Sequence, residues 1–155
     1  MTLYELLKTL HVLAAVAWVG GVIISQVLAG VAVKAAPTNP QKLVEFVRDQ
    51  AWLGKRYFAP ASIVVILAGV AMVIESGWNF SDLWIVIGIT IYVVSVVLGI
   101  AFLTPGSEKM LAVATARGVE DPEAQQLAQR LTMLSRVDLV LLVLVVVNMV
   151  IKPGT

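Results

Sequence analysis

His11 is the only histidine in a chain of 155 residues that contains no Cys. An imidazole nitrogen can ligate haem iron, copper or zinc, and it can move a proton near neutral pH. Ala14 and Ala15 sit one turn further along its helical face, and Trp18 follows seven residues on. Small neighbours leave space beside the ring for a porphyrin edge or for another helix. Two roles therefore stay open: an axial ligand, or a hydrogen-bonding residue inside a helical bundle. The missing Cys removes disulfides, thiolate metal sites and iron–sulfur clusters. Other polar or ligand-capable side chains recur at the depth of His11. They are Lys8, Met72, Glu75, Asn148, Met149 and Lys152. Nitrogen from His and thioether from Met bind haem iron or copper. His11, Met72, Glu75 and Met149 are thus the candidate metal ligands, and Trp18 and Met149 are candidate cofactor contacts.

Asp138 and Arg136 enter the last apolar stretch two residues apart, so they face different directions. Arg136 is long enough to reach the headgroups. Asp138 is shorter and needs a donor, and the expected one is Arg56 or Lys55. A structural ion pair is the leading reading, and a proton-relay carboxylate is the other. Tyr92 falls in mid-span and needs a partner for its hydroxyl. No Ser–His–acid arrangement is available, because Ser25 lies too far along from His11 and Asp138 lies at the opposite depth. Walker and dinucleotide glycine motifs are absent from the sequence. Between the His11 layer and Asp138 the polar groups are Tyr92, Thr90, Ser25, Ser62 and Ser95, too few for a continuous path through one copy.

The elements that carry these residues follow from composition. Hydrophobic residues make up 59% of the chain and charged ones 14%, against about 25% charged in a soluble domain. Such a chain lacks the polar surface to be a soluble enzyme. A net charge of +1 offers no field for nucleic acid. Four apolar stretches, residues 10–33, 57–74, 83–103 and 131–151, each approach the roughly 20 residues that cross a bilayer core. Only helices satisfy the backbone there at these lengths. The first stretch exceeds the roughly 7–15 residues of a signal-peptide core, so a retained span is expected.

In the first connection, Leu43, Val44, Phe46, Val47 and Ala51 are spaced for an amphipathic helix on the membrane surface. Thr104-Pro105-Gly106 is expected to end the third helix. Asp121 followed by Pro122 reads as an N-cap that starts the fourth. The long connections hold Lys34, Lys42, Arg48, Lys55, Arg56, Lys109, Arg117, Arg130 and Arg136, against Lys8 and Lys152 on the other side. This asymmetry puts the connections in the cytoplasm and both termini outside. Trp78 and Trp84 suit an outer aromatic belt, and Trp52 and Tyr57 an inner one. Ala17, Gly21, Ser25 and Ala29 form a small-residue stripe on the first helix, and Gly88, Ser95 and Gly99 a similar one on the third. Such stripes let helices pack closely, within one bundle or between two copies.

The segment Leu7-Lys8-Thr9-Leu10-His11-Val12-Leu13-Ala14-Ala15-Val16-Ala17-Trp18-Val19-Gly20-Gly21 resembles the opening helix of a group of small bacterial membrane proteins. The group includes the copper-resistance protein D family, the membrane protoporphyrinogen oxidase J family and a predicted integral-membrane family of unknown function. The resemblance to the last is the broadest. It continues through Trp52-Leu53-Gly54-Lys55-Arg56-Tyr57-Phe58-Ala59-Pro60 to Gly69, and returns in Arg136-Val137-Asp138 and Met149-Val150-Ile151-Lys152-Pro153. It implies a bacterial plasma-membrane protein. Similarity to the oxidase family implies haem b with His11 as a ligand and a Lys as its partner, for which Lys152 has the right depth. Similarity to the copper family implies a set of His and Met ligands, of which this chain carries one His.

The expectation is an all-α, single-domain, four-helix transmembrane bundle over residues 1–155, with amphipathic cytoplasmic helices in the first and third loops. Its expected role is haem-binding or redox-associated, with the ligand on the outer side. Two alternatives stand beside it: an accessory or assembly subunit of a larger membrane complex, and a copper-related membrane protein. The expected partners are the lipid bilayer and a second copy or larger complex.

Overall fold

A computed structural model describes residues 1–154, and every regular element in it is helical. The elements are α1 (Leu3–Ala35), α2 (Gln41–Leu53), α3 (Ala59–Ser76), α4 (Leu83–Val97), α5 (Thr104–Arg117) and α6 (Pro122–Ile151). Two π-helical segments, Gly54–Phe58 and Leu98–Leu103, join α2 to α3 and α4 to α5. The described residues therefore contain four long helices of 33, 36, 35 and 30 residues, each apolar enough to cross a membrane. At 1.5 Å per residue they span about 45–54 Å, well beyond an apolar core of about 30 Å. The surplus gathers at one end, where the two long connections and most of the basic side chains lie. We call this the basic end and the opposite one the terminal end.

Local chemistry explains most of the boundaries. Thr2 starts α1 with a capping box: its hydroxyl accepts from the Glu5 N–H at 3.2 Å, and Glu5 Oε2 accepts from the Thr2 N–H at 2.8 Å. Gly77 ends α3 with φ +70°, a left-handed conformation that a Cβ disfavours. Asp121 caps α6 as its spacing to Pro122 predicts, accepting from the Glu123 N–H at 2.9 Å.

Two boundaries differ from expectation. Pro105 does not end the third helix, and the amphipathic α2 is not a separate surface helix. In each case a proline lies two residues beyond a π-helical segment. Pro60 follows Gly54–Phe58, and Pro105 follows Leu98–Leu103. In these segments the Ala59 N–H bonds the Gly54 carbonyl and the Thr104 N–H bonds the Gly99 carbonyl, five residues back rather than four. The widened turn makes room for a ring that would otherwise collide with the carbonyl four residues earlier. The helices continue through both segments. The two segments also meet: a Cβ added at Gly54 would lie 3.8 Å from Thr104 Oγ1, and Lys55 pairs with Glu108 at 2.6 Å.

Helix α1 packs along α3 and α4 along α6, and α1 meets α6 between the pairs. At the basic end α2 packs on α1 and α5, and α5 packs on α6. A small apolar core of Val44, Val47, Met110, Ala114 and Ala124 holds this lobe together. Glu123 joins Lys109 at 2.8 Å and Arg117 across its surface. Within the spans Trp18, Val22 and Leu142 form the central cluster, and Val73, Trp84 and Ile85 form another at the terminal end. Large apolar side chains such as Leu13, Val16, Leu67, Ile100 and Val150 point outward, as a lipid-facing surface requires.

Candidate functional site

His11 lies in the seam between α1 and α3. Its Nδ1 is 2.8 Å from the Val65 carbonyl oxygen. A carbonyl can only accept, so Nδ1 carries the proton and donates. That bond sets the tautomer and leaves the lone pair on Nε2. Gly69 makes the fit possible: a Cβ there would sit 3.1 Å from His11 Cε1 and 3.2 Å from Nδ1. The ring rests on a bare stretch of α3 backbone and is half-buried. Neither Val65 nor Gly69 could be matched to His11 from sequence alone, because nothing local says which helix lies beside α1.

The other members of the predicted layer belong to different seams. Met149 packs its methyl toward α4, where a Cβ added at Gly88 would overlap it. Lys152 ends α6 in a left-handed conformation with φ 48°. Its Nζ lies 4.0 Å from the Trp78 ring centroid and 5.1 Å from that of Trp84, and the two indoles meet edge to face at 4.4 Å. Trp84 is buried within this cluster, while Trp78 is half-buried beside it. Met72 on α3 is half-buried, and Glu75 is exposed. Among the described residues, no group of three His, Cys, Asp or Glu side chains could hold a metal ion. Trp18 shares the face of His11, yet seven residues separate them by about 10 Å along the axis. It packs edge to face on Tyr92, centroids 5.8 Å apart, and on Leu142.

Asn148 is the polar tie at the terminal end. It is buried, and its Nδ2 donates to the Trp84 carbonyl at 2.7 Å, fastening α6 to the first turn of α4. Asn148→Ala is expected to lower stability by about 1 kcal/mol, in the range of single interhelical hydrogen bonds. Unfolding in mixed micelles measures it, and an unchanged midpoint would contradict the tie.

The Arg56–Asp138 ion pair is not formed. Asp138 is buried at 7% exposure and accepts a hydrogen bond from the Ser95 hydroxyl on α4. Arg56 and Arg136 are both exposed, and among the described residues no ion pair joins either to Asp138. Charge suggested a cation as partner, but Asp138 faces into the bundle and the two arginines face out of it. Ser95, expected as a small packing residue, supplies the donor through its hydroxyl. The Tyr92 hydroxyl donates to the Ser62 carbonyl at 3.2 Å, the partner its depth demanded. Tyr57 is not simply a belt residue either. Its hydroxyl donates to the Ala17 carbonyl at 2.8 Å, strapping the start of the second span to α1. On the stripe, Gly21 lies under the Phe58 and Tyr57 rings, while a Cβ at Gly99 would meet nothing within 4 Å.

Residues 5–153 match a family model described as a predicted integral membrane protein, DUF2269. No curated protein and no solved structure matches the chain.

Proposed function

The chain belongs to the DUF2269 family of predicted integral membrane proteins, and from that premise we propose that it is a haem b-binding, redox-associated protein with His11 as an axial ligand. The observation that carries this reading is the Nδ1–H bond from His11 to the Val65 carbonyl. Haem-ligating and metal-ligating imidazoles commonly donate their second nitrogen to a carbonyl or carboxylate, which raises ligand basicity and holds the ring. Of the residues present, His11 would hold the haem iron through Nε2, the nitrogen left free by the bond to Val65. Met149 and Lys152 are engaged on α4 and on the Trp78–Trp84 pair, so His11 is the ligand this chain offers. Bound haem would supply a one-electron couple. The chain's own part is to hold the imidazole, fix its tautomer through Val65 and surround the site with apolar helix. By the positive-inside rule we assign the basic end to the cytoplasm and His11 to the outer half of a bacterial plasma membrane.

The test is a reduced-minus-oxidised visible spectrum of the detergent-purified protein, expressed with haem supplied. Sharp bands are expected in the wild type and are expected to vanish in His11→Ala while far-ultraviolet dichroism stays helical. A flat wild-type spectrum from well-folded protein would overturn the haem reading and leave His11 as a seam residue.

A further inference from the structure

A second feature, apart from His11, is a cavity of about 230 Å³ in the basic half of the bundle. All six helices line it. Toward the middle of the spans its lining stops at Trp18 on α1, Ser62 on α3, Ser95 on α4 and Asp138 on α6. Beyond these residues Leu142, Tyr92 and Val65 belong to the apolar cluster around Trp18 and Val22. Toward the basic end the walls are Phe46 and Gln50 of α2 and Thr104 and Ser107 of α5, beside the two π-helical segments.

Asp138 is the only ionisable side chain among the lining residues. It is more than nine-tenths buried, and its one hydrogen-bond donor among the described residues is Ser95. A carboxylate that deep in a span is expensive without a compensating charge, and such groups mark ligand or ion sites. The ion pairs of the described residues lie at the basic end and leave Asp138 aside.

We propose that this cavity binds a small amphipathic organic cation of the alkylammonium class, its head against Asp138 and its apolar chain along Trp18, Phe46 and Phe58. Several observations choose this class. No Lys or Arg lines the cavity, so an anion would face the Asp138 carboxylate with no cation to offset it. A bare inorganic cation needs about six oxygen ligands, whereas the carboxylate is joined by a single hydroxyl. A neutral chain would fill the apolar walls and leave the carboxylate unanswered. An ammonium answers it with a charge-assisted hydrogen bond.

The test titrates hexylammonium and hexanol, which share one chain, into the purified full-length protein by calorimetry. Hexylammonium is expected to bind at least about tenfold tighter, the value of one charge-assisted hydrogen bond. Asp138→Asn is expected to abolish that preference while hexanol binding persists. Ser135 also lines the cavity; Ser135→Phe keeps the carboxylate, fills the cavity and is expected to weaken both ligands. Equal binding of the two ligands to the wild type would overturn the proposal, as would a preference that survives Asp138→Asn. If Asp138→Asn does not fold, the wild-type comparison and Ser135→Phe still decide.

Discussion

Replacing Trp18 by Ala is expected to lower the unfolding free energy by about 3 kcal/mol, the lower end of the range for deleting a buried aromatic residue. Trp18 is 7% exposed and sits where α1 meets the second helix pair. Its ring meets Tyr92 of α4 edge to face and packs on Leu142 of α6. Leu142 is itself 1% exposed, so the space left by the indole has no side chain ready to fill it. In lipid the transfer term is weak, because the acyl chains are as apolar as the core. The lost packing contacts and the residual cavity remain, which is why the lower end is expected. Unfolding in mixed micelles, followed by helical dichroism, measures the change. A loss below about 1 kcal/mol would mean that the central cluster does not hold the helix pairs together.

Adjacent glycines are expected to respond with opposite signs. A Cβ added at Gly21 would lie 2.8 Å from ring carbons of both Phe58 and Tyr57. Rings cannot yield as a flexible chain end does, so Gly21→Ala is expected to cost about 1–3 kcal/mol. The Tyr57 ring also carries the hydroxyl bonded to the Ala17 carbonyl, one turn earlier on α1, and displacing the ring strains that strap as well. Gly20 faces outward, with nothing within 4 Å of an added Cβ. Gly20→Ala is therefore expected to be neutral or to stabilise by up to about 1 kcal/mol through helix propensity. Paired unfolding curves check both. Equal effects at the two positions would contradict the packing of the Tyr57 and Phe58 rings on α1.

This pair marks the border of what sequence can carry. The stripe of Ala17, Gly21 and Ser25 showed that α1 has a close-packing face, and Gly21 does lie on it. Which rings cover it depends on the π-helical segment at Gly54–Phe58, which has no sequence period of its own. The four spans were legible because bilayer thickness sets their length, and α2 because its apolar spacing is helical. Pro105 reads as a helix end in sequence, but the widened π-helical turn before it lets the helix continue. His11 stood out by type and depth, but Val65 and Gly69 act through a backbone carbonyl and a missing side chain. Asp138 was legible as a group in need of a partner. Depth alone points to a charged partner, and the register of α4 against α6 brings Ser95 to it instead.

Isotope labelling tests the central claim most directly. His11 is the only histidine in the chain, so growth on 15N-histidine labels one side chain. Pulsed electron paramagnetic resonance of the ferric haem-loaded protein is expected to show a strong 15N hyperfine coupling from a directly bound imidazole nitrogen. A haem signal without that coupling would contradict His11 as the axial ligand.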